Sequence, residues 1–420
     1  MPRSGWIKPD VDHRLSDHLA FAMLTRVYPP DVVDEVIAEV GRLQRRTRML
    51  PSRIVVYYVL GLALFSNSSY DEVIRLLIAG QSWSSGWSQS WPVPTKAALY
   101  KARLRLGPEP LHLLFDRVAQ PIATPGSDAG SYRGRRLLGM DVISLAIPGT
   151  PANEAEFAGP IPQTDADPTA AAADTATTAT ATATATTRAA ATSTGTATGT
   201  SPSRRLSVRV LGLTELGTGA VIGASIGGAH DELSASAADL LPALGPGQLL
   251  LGAPELYDPQ LWARAAATGA DLLWELPPEV AFAVDSRHAD GSFSARIATS
   301  PDGPPQSSDS HPVRIVEHPV SAGGRAVSAI GDSHRRYATT LHDPDADPAV
   351  DLVGLLSRRR SLASAFDEFR AHRNSPQVVL RSKIPAGVRQ EIYGYLCVHY
   401  AMRWIMNAPD THALDVEFTH

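Results

Sequence analysis

"LLLGAPELYDPQLW", residues 249–262, joins an apolar run to an amphipathic one. The three leucines closed by Gly252 have the uninterrupted apolar character of a strand covered on both faces. The polar turn beyond Pro254 leads to Trp262 and starts a helix. Strand, turn and helix in that order form the unit of an α/β fold, whose chemistry sits at the carboxyl ends of the strands. Here the tip reads Gly252, Ala253, Pro254, and none of those side chains offers a ligand atom or a titratable proton. The stretch sets the fold class and raises the question of why an active-site strand carries no chemistry.

Upstream, "RRLLGMDVISLAIPG" (135–149) reads as a strand with Asp141 inside it, among Leu, Met, Val and Ile. A carboxylate there is either paired or metal-bound, because burying it bare is costly, or it turns to solvent at a hairpin corner. "RRLSVRVLGLTELGTGAVIGASIGG" (204–228) reads as two strands joined around Gly217–Gly219, and "SASAADLLPALGPG" (234–247) as a helix ending at Gly245. Residues 276–337 scatter Val, Ile and Phe among Pro, Gly, Ser and Asp, the composition of a β-rich insertion. Helix returns in "PAVDLVGLLSRRRSLASAFDEFRAH" (348–372) and "VRQEIYGYLCVHYAMRWIM" (388–406).

Residues 16 to about 120 read as helical throughout. "DHLAFAMLTRVYPPDVVDEVIAEVGRLQRR" (17–46) breaks and restarts at Pro29-Pro30-Asp31, "PSRIVVYYVLGLALF" (51–65) is apolar on most sides, and "SYDEVIRLLIAG" (69–80) ends at Gly80. "PTKAALYKARLRLGPEPLHLLFDRVAQ" (94–120) gives a basic helix capped by Thr95, a Gly107-Pro108 turn and an amphipathic helix. The order is that of a small DNA-binding module and equally of a plain helical bundle. Residues 161–203, with "TATTATATATATTRAAATSTGTATGTS", have nothing to bury and read as a low-complexity insert.

The bulk numbers agree with a globular chain: 420 residues, 44% hydrophobic, enough for two or three domains. The apolar run Ile54–Phe65 falls short of the ~20 residues that cross a bilayer, and "MPRSGWIKPD" has no apolar leader, so no membrane role and a cytoplasmic location are expected. A single cysteine, Cys397, excludes an intrachain disulfide and a cysteine metal cluster. Net charge is −5, yet the cations cluster: Arg42, Arg45, Arg46, Arg48 and Arg53; Lys96, Lys101, Arg103 and Arg105; Arg133, Arg135 and Arg136; Arg358, Arg359 and Arg360. Only four of the 38 cations are lysine, which with so much Ala, Gly and Pro points to GC-rich coding, and each cluster alone also reads as a solvated helix face.

Taken in order, "LTRVYPPDVVDEVIAEVGR", "LPSRIVVYYVLGLALF", "SYDEVIRLL", "KARLRLGPEPL", "LLGMD…PGTPAN", "LLL…YDPQLWARAAATGADLLW", "SAFDEFRAH" and "VLRSKIPAGVRQEIYGYLCVHYAMR" resemble DDE-class transposases of the insertion-element-four type over nearly the whole chain. The resemblance implies an α/β fold: a ribonuclease-H-like core with a mixed sheet and flanking helices, a β-rich insertion, and an all-helical N-terminal domain before it. The expected divisions are 1–128 for the helical DNA-binding domain; 129–160, 204–275 and 338–412 for the core; 161–203 and 276–337 for the inserts; and 413–420 for a tail. It also implies three carboxylates holding two Mg²⁺ or Mn²⁺ ions for DNA cleavage and strand transfer, terminal inverted repeats as partner, and compatibility with a homodimer.

Residue by residue, the first carboxylate and surviving metal ligand is Asp141, and the second position is Ala253. The third belongs to a helical stripe of tyrosine, arginine, glutamate and lysine or arginine, which lie at about 0°, 300°, 340° and 320° on one helix face. In this chain that stripe reads Leu356, Arg359, Ala363, Arg370. One carboxylate cannot hold two metals, so the resemblance implies a DNA-binding chain without catalysis, its phosphate contacts drawn from Arg358, Arg359, Arg360, Arg370, Lys96, Lys101, Arg103 and Arg105. Glu255, Asp258 and Asp367 are the carboxylates near enough in sequence to ask about rescue. Two alternatives stand beside this: an active cut-and-paste enzyme whose ligand alignment slips by two residues onto Glu255, and a non-catalytic protein-interaction scaffold.

Overall fold

The longest strand, Arg135–Ala146 (β2), runs through the middle of the molecule with Leu137, Leu138 and Met140 fully buried. The computed structural model describes residues 22–44, 50–66, 68–85, 93–124, 130–159, 206–298, 310–319, 334–360 and 380–407. A two-residue strand, Ser131–Tyr132 (β1), pairs with the start of β2. Ser207–Glu215 (β3) lies antiparallel to β2, from Leu138↔Glu215 to Ala146↔Ser207, and Ala220–Gly228 (β4) returns antiparallel to β3. The tight return uses Gly219 at φ +70°, a left-handed conformation that a glycine adopts without strain.

Two parallel strands complete the core on the other side of β2. Gln248–Gly252 (β5) pairs with β2 from Arg136↔Gln248 to Gly139↔Leu251, and Asp271–Leu276 (β6) pairs with β5 from Leu249↔Asp271 to Gly252↔Trp274. The order β4-β3-β2-β5-β6, an antiparallel meander followed by two parallel strands added beside its first, is that of the ribonuclease H fold. The sheet continues. Phe282–Arg287 (β7), Phe293–Ile297 (β8), His311–Pro319 (β9) and His334–Thr339 (β10) form an antiparallel meander, and β10 pairs with β6 from Arg336↔Leu276 to Thr339↔Leu273. The β-rich insertion thus extends the core sheet to ten strands, and β10 runs across residue 338.

The helices that cover this sheet and build the N-terminal region include Pro30–Glu39 (α1), Ser52–Leu64 (α2), Tyr70–Ser85 (α3), Lys96–Leu106 (α4), Glu109–Val118 (α5), Pro151–Phe157 (α6), Leu233–Ala238 (α7), Pro259–Ala267 (α8), Ala349–Arg360 (α9) and Pro385–Asn407 (α10). α3 passes through Gly80 instead of stopping there, since an isolated glycine costs only ~1 kcal/mol and no proline follows it. The helix expected over 234–245 is split into α7 and a 3₁₀ turn at Leu241–Ala243, because Pro242 lacks the N–H that would continue the ladder.

Two helices are nearly all core. α2 buries every residue from Ile54 to Ala63, as a helix without a polar stripe must. α10 crosses it closely: a Cβ on Gly394 would stand 3.2 Å from Val59 Cγ1 and 3.3 Å from the Val59 carbonyl. Tyr28 Oη donates to the Cys397 carbonyl at 2.9 Å, and Tyr57 Oη donates to the Tyr28 carbonyl. On its other side α10 lies against β4, so Val56, Leu60, Leu396 and Tyr400 share one apolar cluster with Ile143, Val208 and Val221 of the sheet. The N-terminal helices and the sheet have a common core.

Candidate functional site

Alternation along β2 divides its side chains between two faces. Leu138 and Met140 join Leu250, Leu272 and Trp274 under α7 and α8. Leu137 joins Leu249, Leu251 and Leu273 under Leu352, Leu355 and Leu356 of α9, and farther along the same face Ile143 and Leu145 belong to the α10 cluster. Asp141, half-buried and opposite Gly212 of β3, takes its place in that odd-numbered row between the two.

The parallel register sets its neighbour. Gly139↔Leu251 is the last pair between β2 and β5; Asp141 lies two residues farther along β2, and Ala253 just past Gly252, the end of β5. Ala253 packs with Met140, Leu250 and Trp274 in the cluster under α7 and α8, whereas Asp141 belongs to the odd-numbered row of β2. Ala253 is fully buried, and its carbonyl accepts the Trp274 indole N–H at 2.7 Å. The Trp274 ring lies across the tip of β5, where a Cβ on Gly252 would come within 2.2 Å of it, and Trp262 packs against it at 6.1 Å. The tip is an apolar closure built from two tryptophans.

The nearby carboxylates have other surroundings. Asp258 caps α8, accepting the Leu261 N–H at 2.8 Å, and Glu255 is exposed on the 3₁₀ turn Pro254–Leu256. Among the described residues no three of His, Cys, Asp and Glu cluster in a metal-holding group. Leu356 is described and buried on the sheet; Arg358, Arg359 and Arg360 end α9; Ala363, Asp367 and Arg370 lie outside the described residues.

On α4, Thr95 Oγ1 accepts the Ala98 N–H at 3.2 Å, as its capping position requires. Lys101 and Arg105 are exposed, and Lys96, 71% exposed, meets Asp71 at 3.3 Å. Arg103 departs from the expected group. Its Nε donates to Gln390 Oε1 at 3.1 Å and it stands 3.6 Å from Glu391, half-buried, so it ties α4 to α10 and is not presented to a phosphate. Other basic residues are answered by carboxylates in the same way: Arg42 by Glu109, Arg53 by Asp34, Arg133 by Asp351, Arg135 by Asp271 and Asp347, Arg136 by Glu215.

One feature escaped the reading of the residues: a cavity of about 450 Å³ where α4 faces the start of α10, with Tyr58, Tyr70, Tyr100, Arg381 and Lys383 in its wall. Arg381 and Lys383 are far from α4 in sequence, and the packing of α10 on α4, through Gln390 and Arg103, brings "LRSKIP" to it.

The strand order and the aspartate within its central strand define an α/β protein of ribonuclease-H-like architecture, with its candidate site where β2 and β5 run side by side. Residues 18–116 match the family model described as insertion element 4 transposase N-terminal. The chain is 21% identical over 387 residues to the transposase InsG for insertion sequence element IS4 of Escherichia coli (strain K12), covering 90% of this chain and 74% of that protein. A piggyBac transposase synaptic complex with hairpin DNA matches over 92% of this chain and 75% of its own, at 10% identity and a TM-score of 0.39. The chain is thus similar to an insertion-element-four transposase over most of its length, and its N-terminal part matches that family's N-terminal model.

Proposed function

We propose that this transposase relative binds DNA, with terminal inverted repeats as its specific target, and does not catalyse strand cleavage or transfer. The observation that carries the second half is Ala253: at the position where the resemblance expects a second ligand is a fully buried methyl group packed in one cluster with Trp274. The residues present do not fit a pair of Mg²⁺ or Mn²⁺ ions, which need several hard oxygen donors at ~2 Å. Asp258 is taken up by its helix cap and Glu255 faces solvent, so neither supports the slipped alignment. At the third position Ala363 likewise has no donor atom.

DNA binding rests on the exposed cations of α4, Lys96, Lys101 and Arg105, and on the arginines that end α9, with Arg370 beyond them. Phosphate contacts of this kind release counterions, so affinity falls linearly on a log–log plot against salt. Fluorescence anisotropy with a terminal-repeat duplex between 50 and ~300 mM salt should give a steep negative slope; a flat line would leave the scaffold reading instead. Incubation of the same duplex with Mg²⁺ or Mn²⁺ should yield no nicks. In the restored triple variant Ala253→Asp, Ala363→Glu, Leu356→Tyr, nicking is the expected gain, and nicking by the unaltered chain would overturn the proposal.

A further inference from the structure

The cavity between α4 and the start of α10 is lined chiefly by aromatic and aliphatic groups: Tyr58, Tyr70, Leu99, Tyr100, Leu104 and Ile384. At about 450 Å³ it lies in the range of small-ligand sites. Tyr100 and Leu104, one helical turn apart, are 53% and 44% exposed and both line the cavity, so they present apolar surface to whatever enters it. Four cations line it, and their charges are not equally answered. Lys96 meets Asp71 and Arg103 meets Glu391. Arg381 instead donates to the carbonyls of Ser66 and Ser68 and lies over the Tyr70 ring at 5.8 Å. Lys383 is exposed, and among the described residues no carboxylate pairs with it. The site therefore joins an apolar interior to two cations, Arg381 and Lys383, that no carboxylate answers among the described residues.

We infer that this cavity receives one unstacked nucleotide, its base against Tyr100 and Leu104 and its phosphate at Lys383 and Arg381. Bases stack on tyrosine faces without regard to sequence, and a phosphate suits an ammonium and a guanidinium whose charges are unneutralised. The source is a DNA strand in place of a free nucleotide, because the cavity opens on the helix that carries the exposed Lys101 and Arg105; this rests on the DNA-binding proposal.

The test uses the full chain and three probes: a matched duplex, the same duplex with a single bulged 2-aminopurine, and 2-aminopurine nucleoside monophosphate. The bulged duplex should bind about tenfold tighter than the matched one, with quenching of the probe as it stacks on tyrosine. Tyr100→Ala should remove the preference and the quenching while the matched duplex still binds through Lys101 and Arg105. Lys383→Gln should weaken the bulged duplex several-fold and reduce its salt slope by about one. A matched duplex bound without any bulge preference, and unaffected by Tyr100→Ala, overturns this inference alone; failure to bind any duplex overturns the DNA proposal. Binding of the monophosphate as tight as that of the bulged strand would keep the nucleotide chemistry but overturn the DNA strand as its source.

Discussion

Ala253 and Trp274 meet at the tip of β5 in a way that an aspartate would disturb. Placing a carboxylate in that fully buried position sets it in an apolar cluster against an indole. Ala253→Asp alone should cost about 3 kcal/mol of stability, read as a lower urea midpoint. Mg²⁺ should not recover it; the triple variant that also carries Ala363→Glu and Leu356→Tyr should gain melting temperature with Mg²⁺ if the three positions form one site. A second residue sets a pH limit. Burial pushes the Asp290 carboxyl up, but hydrogen bonds from Ser292 and the Ala349 N–H, with the Arg314 charge, outweigh it and hold the group at about 2. Its folded value lies below its unfolded one, so its contribution is present above about pH 4 and is lost as pH falls towards 2. Asp290→Asn should flatten that limb of the stability curve, measured as urea midpoints from pH 5 to 2. Individual residues were unevenly legible. The absence of a ligand at Ala253 could be read directly from the letters, whereas the commitment of Arg103 to Gln390 and Glu391 could not, because its partners are nearly 290 positions away.

At the scale of elements, α2 and α10 cross at a glycine. Gly394 admits the Val59 backbone to within 3.3 Å of where a Cβ would be, so Gly394→Leu should separate the two helices and cost about 1–3 kcal/mol by overpacking. Circular dichroism melting against the parent chain measures it. The elements themselves were the most legible level. Continuous apolar runs such as Leu249–Leu251 and Leu137–Met140 form strands buried on both faces, and the uniform apolarity of Ile54–Ala63 forms a helix with no solvent side. The ends were less so: Gly80 did not stop α3 and Pro242 did break a helix, since a cap or breaker acts together with neighbours that packing selects. The joining of β10 to β6 was hidden for a different reason. Pairing across about 60 residues leaves no local periodicity to read.

For the whole molecule, the decisive fact is that one apolar cluster holds residues from α1, α2, α5, β3, β4 and α10 together. A fragment comprising residues 129–420 would expose the face of α10 that covers Val59 and Tyr28. That fragment should lack a cooperative melt and bind a hydrophobic dye, and separate expression of residues 1–128 should do the same; two independent, cooperative melts would contradict the shared core. α10 also has a mechanical meaning. In the DNA complex proposed above, a load on α4 would pass through Arg103 to α10 and from there, across the shared apolar cluster, into β4, so the helical half and the sheet would take up force together.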